Sequence, residues 1–217
     1  MIKFSKWILV VIMALNLIAC NRGESVNEKT SELQVNAEIN TSIENLKTFI
    51  IQQSDNYFEY QTGMECSGFA SAYVLRHFGV DTNGIETYEE MPDKLGDGGV
   101  LPSSIVTFFD NNGYDAAYIT NGTIEDLKRE VSKGVPVIVF IHMEVPYTSC
   151  HNTHYLAMVG YDEEYFYFAE SVEGNANSKE EKNYNRRMDI KSFEEHWKNI
   201  DGCWDNPYFR ITKENDE

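Results

Sequence analysis

Hydrophobic positions recur at helical spacing in the N-terminal part of this chain and in short continuous runs in the C-terminal part. Apolar residues three or four apart indicate the buried face of a helix. This spacing predicts helices at 39–50 and 67–78. Two more helices are predicted to begin at Pro102, since proline is favoured in the first helical turn, and at Thr123, which opens a capping box. The acidic, glycine-containing segment 81–100 predicts a surface loop.

The C-terminal part is dominated by predicted strands. Residues 136–141 form a continuous apolar run, which is typical of a strand buried on both faces. The segments 154–161 and 165–170 are separated by a short acidic turn and predict an antiparallel hairpin. The remaining predictions are strands at 114–119 and 208–212, a polar insertion at 173–185 and a helix at 192–199. Because helices precede a sheet along the chain, the predicted fold class is α+β.

The N-terminus carries an export signal. Two lysines precede an apolar stretch at 7–18, which is too short to span a bilayer comfortably. This stretch closes with Leu-Ile-Ala-Cys20, which resembles the bacterial lipobox, whose cysteine is lipidated and becomes the first residue of the mature protein. We therefore predict a lipoprotein signal peptide at 1–19 and lipidation of Cys20. An ordinary secretory signal with an accidental cysteine is the alternative.

The segment that follows the signal is polar and acidic. Residues 20–37 show no periodic apolar pattern, so we predict a flexible tether there and a globular domain at 38–217. Acyl chains on Cys20 would hold the protein at a membrane by burying many methylene groups in the bilayer. The predicted location is the bacterial cell envelope, lipid-anchored and extracytoplasmic.

Composition and charge narrow the range of partners. The 217-residue chain is 42% hydrophobic, enough for a packed core in one domain. Its formal net charge is −17, whereas nucleic-acid binding requires surfaces rich in lysine and arginine. We therefore expect no nucleic-acid partner, and we expect a monomer.

The four cysteines of the chain are predicted to have three different roles. Cys20 is the lipidation candidate and Cys66 is the candidate nucleophile, which leaves Cys150 and Cys203. Outside the cytoplasm, such remaining cysteines often pair. A Cys150–Cys203 disulfide would tie the loop before His154 to the C-terminal segment, and two separate buried thiols are the alternative.

Four side chains form a candidate site for nucleophilic catalysis. Cys66 is placed at the start of a predicted helix, where the helix N-terminus favours the reactive thiolate. Gln61 precedes it in a loop that can fold back and donate an N–H to an oxyanion. His154 begins one strand of the predicted hairpin and Glu170 ends the other, so we expect Glu170 to orient His154. Each residue alone has an ordinary explanation, as a buried thiol, a loop amide, a structural histidine or a surface carboxylate.

At these positions the chain resembles the C39-like branch of the papain-like cysteine peptidases. The resemblance runs from about Tyr57 to Lys198. The motifs that carry it are Gln61, Glu65-Cys66, Gly134–Val139, His154–Asp162, Ala169–Ser171 and Phe193–Trp197. It implies a papain-like fold, in which the nucleophile at a helix N-terminus packs on an antiparallel sheet. It also implies a peptide or protein substrate, no cofactor, and catalytic roles for Cys66, His154, Glu170 and Gln61.

Two departures from the family pattern affect the site. Ser67-Gly68 follows the nucleophile where the family has Gly-Pro, which alters the tight turn. Glu170 stands where the family has Asp, and its side chain is one methylene longer. Asn175 is therefore a second candidate for the residue that orients His154.

A metal site is the competing interpretation of the histidines. Soft ligands lie close together in the sequence at His142, Cys150, His151 and His154. Their spacing matches no recognised zinc motif, so we predict no metal.

The predicted function is hydrolysis of peptide amide bonds through a thioester on Cys66, by a membrane-anchored extracytoplasmic cysteine peptidase. Two alternatives remain open. One is another papain-like acyl-transfer enzyme, a cell-wall amidase or a transglutaminase-like protein, which would use the same residues. The other is a catalytically inactive peptide-binding lipoprotein, for which Ser67 and Glu170 are the main support.

Overall fold

In the residues that the structure describes, helices predominate before Val137 and strands predominate from there on. The computed structural model describes residues 46–52, 55–144, 152–179, 181–198 and 205–213. The helices are α1 (Cys66–His77), α2 (Gly84–Glu90), α3 (Pro102–Asn111), α4 (Ile124–Val131) and α5 (Ile190–Trp197). The strands are β1 (Phe49–Ile50), β2 (Tyr114–Ile119), β3 (Val137–His142), β4 (Thr153–Tyr161), β5 (Tyr165–Ala169), β6 (Arg186–Asp189) and β7 (Tyr208–Lys213). The predicted signal peptide and tether, with Cys20, Cys150 and Cys203, lie outside the described residues.

All seven strands join one antiparallel sheet in the order β2-β7-β3-β4-β5-β6, with β1 added beside β4. Strand β3 is buried along its whole length, as its continuous apolar run predicts. The predicted hairpin is confirmed as β4 and β5, with Met158 opposite Phe168.

Helices cover both faces of this sheet. Alternate residues of a strand point to opposite faces. On one face, Ile138 and Phe140 of β3 belong to a buried cluster shared with α1 and α3. On the other, Val139 and Ile141 belong to a cluster shared with α4 and α5. This mixture of helices and antiparallel sheet confirms the predicted α+β fold.

The predicted helices α1, α3, α4 and α5 form close to their expected positions. Helix α1 ends at His77, and Gly79 follows at a φ of 85°, a left-handed conformation that glycine adopts without strain. The capping box of α4 is present, because Thr123 and Asp126 bond each other's backbone N–H.

The predicted helix at 39–50 is wrong at its C-terminal end. Phe49 and Ile50 form β1 and pair with Tyr161 and Gly160. Strand β3 pairs with β4 only as far as Met158, so this edge of β4 offers free backbone groups that β1 satisfies. A partner distant in the sequence therefore decides the conformation of these two residues.

Two elements occupy segments predicted as loop or left without a prediction. The predicted loop 81–100 contains α2, whose first turn is capped by the Asn83 side chain accepting from the Glu86 N–H. Helix α2 packs closely on α1, since Gly68 lies against Tyr88 and Gly84 against Phe69. Strand β6 follows the polar insertion and pairs with β5.

Candidate active site

Cys66 is the first residue of α1, as the sequence predicts. Its thiol is free and buried, with 8% of the residue exposed. The backbone N–H groups of a first helical turn have no partner within the helix and present partial positive charge. The Glu65 carboxylate, adjacent in sequence, accepts from the Gly63 N–H at 2.7 Å and so folds into the preceding loop.

His154 and Glu170 meet at the end of the hairpin. His154 Nε2 lies 2.7 Å from Glu170 Oε1, and both residues are almost completely buried. Cys66 is the other neighbour of the imidazole and lies close enough for its side chain to raise the pKa of His154. The structure thus brings together the thiol, the imidazole and the carboxylate in the order that the sequence suggests.

These contacts favour the charged forms of His154 and Glu170. Burial alone lowers the pKa of His154, but its hydrogen bonds and charge contacts with Cys66 and Glu170 outweigh burial and raise that pKa to about 9. Burial likewise favours neutral Glu170, but the hydrogen bond from His154 and the charges of His154 and Arg186 hold its pKa below the ordinary value. At neutral pH, His154 is therefore an imidazolium paired with the Glu170 carboxylate.

Gln61 is tied to the residue after Glu170. Its backbone N–H donates to the Ser171 carbonyl at 2.8 Å, and the Ser171 hydroxyl donates to its side-chain oxygen at 2.6 Å. Its Nε2 donates to the Gly63 carbonyl at 2.7 Å, which uses one of the two N–H groups of the amide. The loop before Cys66 is therefore fastened to the segment directly after β5, which carries the Glu170 carboxylate.

Three residues of the site were not predicted from the sequence. Ser171 fixes Gln61, and Asn185 and Arg186 bond Glu170 from the start of β6. Asn185 ends the predicted polar insertion at 173–185, and Ser171 and Arg186 lie just outside it, so no local signal distinguishes these polar residues from a solvated surface. The second candidate for orienting the histidine, Asn175, lies in a 3-10 turn at Glu173–Asn175, and it is Glu170 that bonds the imidazole.

Two tyrosine hydroxyls hold the loop between α2 and α3 beside the thiol. Tyr88 donates to the Gly98 carbonyl at 2.7 Å and Tyr155 to the Val100 carbonyl at 2.9 Å. Burial, followed by the charges of neighbouring groups that include Cys66, raises the pKa of both tyrosines. Val100, Tyr155 and Cys66 belong to one buried cluster, so this loop forms a fixed wall of the site.

Neither a metal-binding cluster nor a membrane-spanning helix is found in the described ranges. No group of three or more histidine, cysteine, aspartate and glutamate side chains in these ranges is placed to hold a metal ion. None of the helices in the same ranges is both long enough and apolar enough to cross a bilayer.

The sequence matches the model of a known protein family. The sequence model of the Peptidase_C39 like family matches residues 46–203. Comparison with curated protein sequences gives no significant match.

Solved structures with the same fold include three of interest. A Bacillus anthracis protein assigned to the C39-like peptidases is 15% identical with a TM-score of 0.58, over 76% of this chain and 97% of that one. The peptidase domain of Streptococcus ComA, a bifunctional ABC transporter of a quorum-sensing pathway, is 15% identical with a TM-score of 0.53, over 72% and 97%. A cysteine protease from Carica candamarcensis in complex with E-64 is 11% identical with a TM-score of 0.54, over 77% and 99%. At these identities the similarity establishes a fold shared with papain-like proteases.

Proposed function

The chain belongs to the Peptidase_C39 like family, and from this premise we propose that it is a cysteine peptidase that hydrolyses peptide amide bonds at Cys66. The observation that carries the proposal is the buried 2.7 Å contact between His154 Nε2 and Glu170 Oε1, together with the influence of the neighbouring Cys66 side chain on the same imidazole. A histidine oriented by a carboxylate and bonded to a thiol is the arrangement that activates a cysteine nucleophile.

The reaction uses Cys66, Gln61 and His154 directly, while Glu170 orients His154. The Cys66 thiolate attacks the carbonyl carbon of the substrate amide, and the Cys66 backbone N–H and the Gln61 amide donate to the resulting oxyanion. The His154 imidazolium passes its proton to the leaving amine as the C–N bond breaks, which leaves a thioester on Cys66. Neutral His154 then takes a proton from water, the water oxygen attacks the thioester carbonyl, and an acid product leaves. The thiolate–imidazolium pair is thereby restored.

The location of this activity is also part of the proposal. The lipobox-like residues that end at Cys20 support a lipid anchor on the extracytoplasmic side of a bacterial membrane. A monomer anchored there would act on peptides or proteins of the envelope. Mass spectrometry of the protein from bacterial membranes tests this part, because a diacylated N-terminal Cys20 has a distinct mass and an unmodified chain starting elsewhere contradicts it.

Labelling of the full-length chain in detergent with iodoacetamide across pH tests the site. An imidazole beside a thiol activates it as a nucleophile, so Cys66 should react with iodoacetamide faster than an ordinary cysteine. This reactivity should be lost in His154→Ala together with peptide cleavage. His77→Ala is the matched control, because His77 ends α1, the helix that Cys66 begins. Equal labelling of Cys66 in all three proteins, with the pH dependence of an ordinary thiol, would contradict the proposal.

A further inference from the structure

Two consecutive residues hold Glu170 by its backbone and by its carboxylate. The Asn185 side chain accepts from the Glu170 N–H at 2.6 Å and donates to the Glu170 carbonyl at 2.8 Å. Arg186 Nη1 forms an ion pair with Glu170 Oε2, the carboxylate oxygen that does not face His154. The Val172 N–H donates to Oε1 at 2.7 Å. Both oxygens of this buried carboxylate are therefore bonded.

The strand register explains why Arg186 reaches Glu170. Arg186 is directly opposite Phe168 in the pairing of β5 with β6. Glu170 is two residues beyond Phe168, which makes it a diagonal neighbour within reach of a long side chain. The next residue, Arg187, is exposed and lies over the ring of Tyr165 at 5.0 Å. The two adjacent arginines of β6 therefore have different surroundings: Arg186 bonds the buried Glu170, and Arg187 lies at the surface.

The electrostatics of the site require such a partner. Burying an ionised carboxylate carries a desolvation penalty, which a second bonded cation helps to offset. The Glu170 side chain is 0% exposed and that of Arg186 only 13% exposed. The other charged groups that line the small cavity beside Glu170 are Glu59 and Arg76, which pair with each other at 2.6 Å. Arg186 is thus the cation, besides His154, that is bonded to Glu170 in the described residues.

We propose that Arg186 is a positioning residue: it keeps Glu170 ionised and fixes its longer side chain, so that Glu170 holds His154 beside Cys66. This inference rests on the proposed function and explains how glutamate serves where the family has aspartate. The site residue that Arg186 bonds is Glu170, so Arg186 acts on His154 through that carboxylate.

Three variants separate this role from a general effect on folding. Arg186→Gln removes the charge, and Arg186→Lys keeps the charge while removing the planar fork that suits a carboxylate. Arg187→Gln removes the same charge from the neighbouring, exposed position and is the matched control.

The test follows the His154 resonances of the full-length chain in detergent by NMR with ¹³C-labelled histidine, assigned by their absence in His154→Ala. Protonation of Glu170 appears as an acid inflection in these resonances. In Arg186→Gln this inflection should move to higher pH by about one unit or more, because a neighbouring cation lowers a carboxyl pKa by roughly 1–3 units. Arg186→Lys should move it less, and Arg187→Gln not at all. An Arg186→Gln titration that superimposes on that of Arg187→Gln overturns the proposal.

A second measurement on wild-type protein covers the case in which Arg186→Gln does not fold. The ¹⁵N resonances of the Arg186 guanidinium should shift at the same pH as the acid inflection of His154, and a guanidinium that is insensitive to that step overturns the proposal. Peptide cleavage is measured in parallel. If wild-type protein cleaves nothing and Cys66 is an ordinary thiol, the proposed function fails, while the histidine titration still decides whether Arg186 controls Glu170.

Discussion

Replacing Glu170 by glutamine should destabilise the protein in a pH-dependent way. Glutamine has nearly the same shape but no charge, so the imidazolium loses its partner and Arg186 keeps an uncompensated buried charge. Breaking a buried ion pair from one side costs about 3–5 kcal/mol of unfolding free energy. That part of the loss is the same at all pH values where both Glu170 and Arg186 are charged.

The pH-dependent part follows from His154. Burial lowers the pKa of this histidine, yet its contacts with Cys66 and Glu170 raise it from 6.5 to about 9 in the folded protein. At about 1.4 kcal/mol per pKa unit, these contacts stabilise the fold by up to about 3 kcal/mol. Because the folded pKa is raised, this stabilisation is complete below pH 6.5 and is lost as pH rises through about 9. The difference between wild type and Glu170→Gln should therefore be largest near pH 6 and shrink by about 1–3 kcal/mol by pH 10.

Urea unfolding of both proteins at pH values from 6 to 10, followed by tryptophan fluorescence, measures this difference. Glu195→Gln is the control, because Glu195 pairs with Lys198 on the surface and should give a small difference without a pH trend. A Glu170→Gln difference that stays constant from pH 6 to 10 would refute the reasoning that Glu170 holds the imidazolium.

Two further substitutions test the surroundings of the site. Gly160→Ala should lower the unfolding free energy by about 1–3 kcal/mol, because the added methyl group meets the Phe49 carbonyl of β1. The control is Gly174→Ala, whose methyl group meets nothing within 4 Å and should leave the urea midpoint unchanged. Equal midpoints for the two variants would contradict the pairing of β1 with β4. Ser171→Ala removes the hydroxyl that fixes Gln61. In steady-state peptide cleavage this variant should have a lower kcat with little change in KM. A change confined to KM would argue against an oxyanion role for Gln61.

Elements whose signals are local could be predicted from the sequence. Helix α4 is specified by its own capping box, and β3 by an apolar run that a solvated segment does not contain. The proximity of His154 and Glu170 also follows locally, because a short turn between two strands places the start of one beside the end of the next. These predictions required no knowledge of distant contacts.

Elements that depend on distant partners could not be predicted in this way. Strand β1 has two residues, and its conformation is decided by the free edge of β4 more than a hundred residues later. Arg186 has the same charge as its exposed neighbour Arg187, and the choice between them is made by the register of β6 on β5. The sequence of one protein shows hydrophobic periodicity and capping residues. It does not show how β6 aligns with β5 when a polar insertion separates the two strands.

The loop between α2 and α3 forms one wall of the site, so changes in this loop can change which substrates fit. The loop is fastened at Gly98 and Val100 by tyrosine hydroxyls, whereas residues 93–97, just before these fastening points, are exposed. Surface loops tolerate insertions and deletions at small cost in free energy, since closure entropy grows slowly with length. Changes of length within 93–97 would therefore reshape the rim that a substrate meets while the thiol, the imidazole and the carboxylate stay in place. Residues 93–97 can therefore be replaced, in evolution or by protein engineering, without moving Cys66, His154 or Glu170.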